Sequence, residues 1–177
     1  MPDKSDSSAL RVVRGVANYQ FGPKIGRVLF PEDLTITKSP RTRRIRHIYV
    51  ENELVATLRP TDGYLALTLA GAKRIKKYAP KPRFRVVVES EVARFISEGR
   101  NVFSKHVVEA DPEIRPSAEV IVVDERDAIL AVGKALLNGE EMIAFERGVA
   151  VKVRKGIKEG EQNKEENATS GYGKSYA

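Results

Sequence analysis

The sequence predicts an α+β protein made of two small units. Short strand-type runs and short amphipathic helical patterns alternate along the chain, and the segment AlaProLysProArg after Tyr78 carries two prolines that disfavour helix and form a stiff connector. Both ends are polar and poor in large apolar residues. We therefore expect a disordered N-terminus over residues 1–8, an α+β unit over 9–79, a linker over 80–83, a small β barrel over 84–157 and a disordered tail over 158–177.

The first unit begins with apolar residues at helical spacing: Leu10, Val13, Val16, Ala17 and Phe21. Gly22-Pro23 then ends the helical pattern. A short apolar stretch around Val28 to Phe30 then stops at Pro31. Two strands joined by Glu51-Asn52-Glu53 follow as a hairpin, and a third strand is expected over residues 64–68. A basic helix near residues 69–78 completes an α+β unit.

The second unit begins with the buried-type strand ArgValValVal and a short amphipathic helix closed by Gly99, the usual residue type after a helix end. Asn138-Gly139 predicts a turn before a helical turn at Glu140 to Phe145. The remaining strands are expected at 102–108, 119–123, 128–136 and 149–154. Short strands with small helical inserts favour a small barrel.

The positive charge of the chain is concentrated in its first half. Formal net charge is +7, but residues 1–83 hold 17 Lys/Arg against 7 Asp/Glu, a net charge of +10, whereas residues 84–157 sum to −2 and 158–177 to −1. Lysine and arginine that replace condensed counterions favour binding of a polyanion. A well-solvated surface is the ordinary alternative.

The composition argues against most catalytic chemistry. Without Cys the chain has no disulfides, cysteine nucleophiles or thiolate zinc sites, and two His cannot form a three-histidine metal site. We find no catalytic constellation, and expect no enzyme activity, no metal and no cofactor. The N-terminus lacks a signal pattern and no apolar run is long enough to cross a bilayer, so a cytoplasmic protein is expected.

Three segments of the second unit together resemble a PUA domain. They are residues 98–116, from GluGlyArgAsnValPhe to ProGluIleArgPro, then GluValIleValValAspGluArgAsp, and finally GluArgGlyValAlaValLysValArg. The upstream segments AlaAsnTyrGlnPheGly and ValAlaThrLeuArgProThrAspGly resemble the small domain that precedes PUA in archaeal tRNA-guanine transglycosylases and archaeosine synthases. The resemblance implies a pre-PUA α+β domain followed by a PUA-like pseudo-barrel. It covers about residues 9–157.

PUA domains hold structured RNA between their first helix, the following glycine-containing loop and the last strand. The resemblance places this site at Gly99, Arg100, Asn101, Val102, Phe103, Arg154 and Lys155. Glycine allows close backbone approach to RNA, Asn101 has donors and acceptors for a base edge, and arginine suits phosphate. Phe103 either stacks on a base or belongs to the core. Alanine at Arg100 or Arg154 is expected to weaken tRNA binding without lowering the melting temperature.

A second RNA-binding surface is predicted in the first unit, where cations crowd one loop-and-strand segment and one helix. Arginine and lysine on two elements suit the phosphates of an RNA stem. The helix cations are also what an ordinary solvated face would carry. The predicted contacts are Arg41, Arg43, Arg44 and Arg46 in the segment, and Lys73, Arg74, Lys76 and Lys77 on the helix.

These observations favour a non-catalytic RNA-binding protein whose partner is structured RNA, most simply tRNA. A transglycosylase barrel needs about 200 residues or more, which this chain cannot hold beside two other units. We therefore expect a substrate-recognition subunit for tRNA modification, such as the separate subunit of a split tRNA-guanine transglycosylase, with a catalytic subunit as a possible partner. A translation or ribosome-associated PUA adaptor and an enzyme with an unrecognised site are the alternatives. The sequence leaves the oligomeric state open.

Overall fold

The computed structural model describes residues 3–4 and 7–158, and the predicted tail lies, apart from Lys158, outside the described residues. The chain divides into two compact units, the first ending at Arg83 and the second beginning at Phe84. The predicted α+β class is confirmed, with helices and strands in both units.

The first unit contains three helices: α1 (Ser7–Phe21), α2 (Ile25–Leu29) and α3 (Leu69–Tyr78). α1 follows the predicted apolar spacing, because its buried side chains include Leu10, Val13 and Ala17. It begins at Ser7, inside the segment expected to be disordered. α3 has the predicted bounds.

The five strands of this unit form an antiparallel sheet in the order of the chain: β1 (Asp3–Lys4), β2 (Thr35–Lys38), β3 (Ile45–Val50), β4 (Glu53–Leu58) and β5 (Leu65–Leu67). The predicted hairpin is present, and Glu51 and Asn52 have φ angles of 52° and 65°, the left-handed conformation of a tight two-residue turn. β1 pairs with β2 through Asp3 and Lys4, again inside the segment expected to be disordered. β2 itself is a strand that the sequence did not indicate.

α1 and α2 pack closely because Gly26 has no side chain. A Cβ atom at Gly26 would lie 2.4 Å from the carbonyl oxygen of Arg14 in α1. The amide oxygen of Asn18 accepts a hydrogen bond from the Gly26 N–H at 2.8 Å and fixes the crossing of the two helices. The backbones of α1 and α2 are therefore in direct contact.

The second unit contains two short helices, α4 (Ala93–Ser97) and α5 (Gly139–Ala144). Asn138, predicted as part of a turn, is the N-cap of α5 and forms a capping box with Glu141. The six strands follow the chain as β6 (Arg85–Val88), β7 (Val102–Phe103), β8 (Val107–Ala110), β9 (Glu119–Val123), β10 (Ile129–Ala135) and β11 (Val149–Gly156).

The sheet of the second unit is almost closed on itself. Its strand order is β7-β11-β10-β9-β6-β8, and only β6 and β9 are parallel among these pairs. The two edge strands, β7 and β8, are consecutive in the chain and are joined by the single 3₁₀ turn Ser104–His106. This short connection brings the two edges together, so the predicted barrel is confirmed. The predicted single strand over 102–108 is instead broken into these two pieces.

Candidate nucleic-acid interface

The helix end predicted at Gly99 has the geometry that glycine favours. Gly99 has a φ of 96°, its N–H donates to the Ile96 carbonyl at 3.0 Å, and the next N–H, of Arg100, donates to the Phe95 carbonyl at 3.1 Å. These two bonds form the Schellman motif, which closes α4 and directs the chain into β7. Gly99 is therefore explained by the helix end whether or not RNA binds.

The loop after α4 lies against the end of the last strand, as the predicted site requires. The Asn101 Oδ1 atom accepts a hydrogen bond from the Val153 N–H at 3.0 Å, and the Lys158 N–H donates to the Ser97 carbonyl at 2.9 Å. A Cβ atom at Gly156 would lie 2.3 Å from the Ser97 oxygen. Gly156, which the sequence analysis did not select, thus allows β11 to approach the helix end.

Four of the predicted residues have side chains at the surface of this loop and strand. Arg100, Asn101 and Lys155 are exposed, and the ring of Phe103 is 48% exposed. Phe103 therefore lies outside the core and can stack on a base. Val102 differs from these four, because its side chain is fully buried in the barrel core. A ligand contact by that side chain is therefore excluded.

The guanidinium of Arg154 neutralises a buried carboxylate. Nη1 of Arg154 donates to Oε1 of Glu119 at 3.0 Å, and Nη2 donates to Oε2, which makes the pair bidentate. The Glu119 side chain is completely buried, whereas that of Arg154 is 37% exposed. The pair changes the expectation for Arg154: its removal is now predicted to lower stability, because it would leave a buried charge unpaired.

The arginine segment of the first unit is exposed and positively charged. Arg41, Arg43, Arg44 and Arg46 are all exposed, and within the part of the chain that the structure describes none of them forms an ion pair. The loop that carries them is closed by two backbone hydrogen bonds, from the Ser39 N–H to the Arg44 carbonyl and from the Arg43 N–H to the Ser39 carbonyl, both 2.8 Å. The loop therefore presents Arg41, Arg43 and Arg44, and Arg46 follows directly in β3.

A small cavity adjoins this segment. Its lining includes Arg44, Arg46, Arg59 and Gly63. Arg59 pairs with Asp62 through two contacts, of 3.1 Å and 2.9 Å. The cavity thus has a cationic wall that an anionic group can approach.

The four predicted cations of α3 differ in their exposure to solvent. Lys73 and Lys77 are exposed and lie one helical turn apart on α3, so they share a face. Arg74 is half-buried, and its Nε donates to the Val28 carbonyl at 3.3 Å, which ties α3 to α2. Lys76 is also half-buried. The helix therefore offers two outward cations, fewer than predicted.

The described residues contain no group of three or more potential metal ligands. His47 contacts Thr57, and His106 pairs with Glu89 at 2.9 Å. No helix among residues 7–158 has the length and apolar character needed to span a membrane.

In the second unit, a helix end closed by glycine packs on the last strand of a nearly closed barrel, and exposed cations lie beside it. This combination defines a nucleic-acid-binding module. The comparisons identify it: residues 84–157 match the PUA domain, an RNA-binding domain type, and residues 11–82 match the patch-forming domain C2 of tRNA-guanine transglycosylase. The chain is a PUA domain protein, similar to the pre-PUA and PUA part of archaeal tRNA-guanine transglycosylases.

Two archaeal relatives illustrate this similarity. The tRNA-guanine(15) transglycosylase of Methanothermobacter thermautotrophicus is 46% identical over 144 residues, which are 81% of this chain and 22% of the relative. That of Thermococcus kodakarensis is 44% identical over 156 residues, 88% of this chain and 26% of the relative. The chain therefore spans about a quarter of the length of these relatives and matches their C-terminal region.

Solved structures support the fold. A hypothetical protein from Pyrococcus horikoshii OT3 superposes with a TM-score of 0.70 at 23% identity, covering 88% of this chain and 94% of that one. A PUA domain from Aeropyrum pernix K1 gives a TM-score of 0.66 at 15% identity, covering 89% of this chain and 86% of that one.

Proposed function

We propose that this chain binds tRNA in the cytoplasm and supplies substrate recognition to a tRNA-guanine transglycosylase, without itself carrying the catalytic site. The 41–46% identity to the C-terminal region of archaeal tRNA-guanine(15) transglycosylases is the observation that carries the proposal. The match covers about a quarter of those enzymes. The proposal assigns base exchange itself to a separate catalytic subunit.

The structure supports RNA binding through charge and geometry together. The exposed arginines 41, 43, 44 and 46 suit phosphates, which position an RNA without reading its sequence. In the second unit, Arg100 and Lys155 flank the glycine-closed loop, and Phe103 offers an exposed aromatic ring. Such a combination suits a folded RNA with an unpaired end or loop.

A graft tests whether this chain supplies recognition. We expect that the Methanothermobacter thermautotrophicus enzyme, with its matching region replaced by this chain, keeps a tRNA KM within about threefold of its parent. The same enzyme truncated before that region should show a tRNA KM at least about tenfold higher. Contacts far from the reacting base stabilise the bound substrate and the transition state equally, so their loss raises KM. The measurement is incorporation of radiolabelled guanine into tRNA.

The graft with glutamine at Arg41, Arg43, Arg44 and Arg46 is the matched control and should resemble the truncated enzyme. A folded graft whose tRNA KM equals that of the truncated enzyme would contradict the proposal. So would base exchange by this chain alone, which would make it an enzyme with a site of its own.

A further inference from the structure

Two tyrosines form an exposed stack on the surface of the first unit. Tyr19 lies on α1 and Tyr64 immediately precedes β5; their ring centroids are 6.2 Å apart and their planes differ by 4°. Tyr19 is 79% exposed and Tyr64 38%. Most of the Tyr19 ring is therefore accessible to solvent.

The position of this tyrosine pair is fixed by the backbone around it. The side-chain amide of Gln20 joins α1 to β5 through two hydrogen bonds, donating to the Leu65 carbonyl at 2.9 Å and accepting from the Leu65 N–H at 2.8 Å. The Tyr64 N–H donates to Oδ1 of Asp62 at 3.0 Å. The neighbours in sequence of both tyrosines are thus held in place, so a ligand that stacks on the pair orders few further groups.

The tyrosine pair lies beside one charge of each sign, those of Asp62 and Arg59. The phenol of Tyr19 raises the pKa of Tyr64 above its ordinary value, with smaller contributions that include the charge of Asp62, which raises the pKa, and that of Arg59, which lowers it. A tyrosine side chain is uncharged at neutral pH, and the raised pKa keeps Tyr64 so. Its ring adds apolar surface beside the cations of this unit without adding a negative charge.

The tyrosine pair and the arginine-lined cavity share one turn of the chain. The turn between β4 and β5 is closed by hydrogen bonds from the Arg59 N–H to the Tyr64 carbonyl at 2.9 Å and from the Gly63 N–H to the Arg59 carbonyl at 3.0 Å. Arg59 and Gly63 line the cavity with Arg44 and Arg46, and Tyr64 follows directly. An aromatic surface and cations that adjoin one turn of the chain suit the alternating bases and phosphates of a single strand.

We propose that Tyr19 and Tyr64 stack on an unpaired nucleobase while Arg44 and Arg46 hold the adjoining phosphates. This inference rests on the proposed function in taking RNA as the ligand, and it adds a site for a single-stranded nucleotide in the first unit. The exposed arginines of this unit favour RNA over an apolar protein segment, because they would remain unmatched against such a segment.

The test uses a six-nucleotide single-stranded RNA containing 2-aminopurine, whose fluorescence falls on stacking, and a blunt twelve-base-pair RNA duplex. Tyr19→Ala should weaken binding of the single strand about fivefold to thirtyfold and abolish the fluorescence change, because stacking on an aromatic ring is lost. Duplex binding should change less than about twofold, since phosphate contacts are kept. Tyr19→Phe, which keeps the ring, should bind the single strand as the unaltered chain does.

Tyr78→Ala is the matched control, since Tyr78 is 63% exposed but lies on α3 outside the stack. Unaltered single-strand binding by Tyr19→Ala, or an equal loss with Tyr78→Ala, would overturn the inference. If tRNA binds tightly while Tyr19→Ala has no effect, only this inference fails. If the unaltered chain binds neither tRNA nor the duplex, the proposed function fails as well.

Discussion

Replacing Arg41, Arg43, Arg44 and Arg46 together by glutamine is expected to weaken tRNA binding about 100-fold to 1000-fold in low salt. A unit charge close to a phosphate contributes about 1 kcal/mol in water, and four such contributions correspond to a change of this size. All four side chains are exposed and form no ion pair within the described residues, so the folded protein should be unaffected. Filter binding and thermal unfolding measure the two quantities.

The control for this variant removes the same number of charges from the second unit, at residues that are not among the predicted contacts: Arg115, Arg126, Lys134 and Arg147. It should weaken tRNA binding far less, since only long-range attraction is lost. Equal losses for the two variants would indicate that net charge, and not the arginine segment, governs binding.

Arg154→Ala is expected to lower the free energy of unfolding by about 2–3 kcal/mol, because it leaves the buried Glu119 carboxylate without its cation. The partial exposure of Arg154 keeps this value below that of a fully buried pair. The melting temperature of the second unit should fall by about 10–20 °C. Differential scanning calorimetry measures this shift.

A double variant separates the ion pair from simple loss of packing. Glu119→Leu combined with Arg154→Leu removes both charges and should recover most of the stability lost in Arg154→Ala. An Arg154→Ala protein with an unchanged melting temperature would contradict the assignment and restore Arg154 as a residue free to contact RNA.

Local signals in the sequence were sufficient for many elements. The helix α3 begins after Thr68, whose side chain accepts a hydrogen bond from the Gly71 N–H, and such N-caps can be recognised in sequence. The Glu51-Asn52 turn and the Gly99 helix end also depend on neighbouring residues alone. The strand β2 was missed because only one of its four residues, Ile36, is buried, which gives too little alternation to recognise.

Features that depend on distant residues could not be predicted in this way. The apolar alternation over residues 102–108 does not reveal that β7 and β8 pair at opposite edges of one sheet. In the site, the arginine segment was selected from its composition, and its four side chains are exposed. The Arg154–Glu119 pair joins residues 35 positions apart, and the contacts of Gln20 with Leu65 that fix Tyr19 beside Tyr64 span 45 positions. Neither pairing has a sequence motif.

The salt dependence of tRNA binding by the unaltered chain tests the central claim most directly. Each phosphate contact contributes about 0.7–0.9 to the slope of log affinity against log salt concentration, so four or more contacts predict a slope of about −3 or steeper. Fluorescence anisotropy with a labelled tRNA transcript, over about 50–300 mM KCl, measures it. A slope near zero, or no saturable binding at the lowest salt concentration, would contradict recognition of RNA through its phosphates.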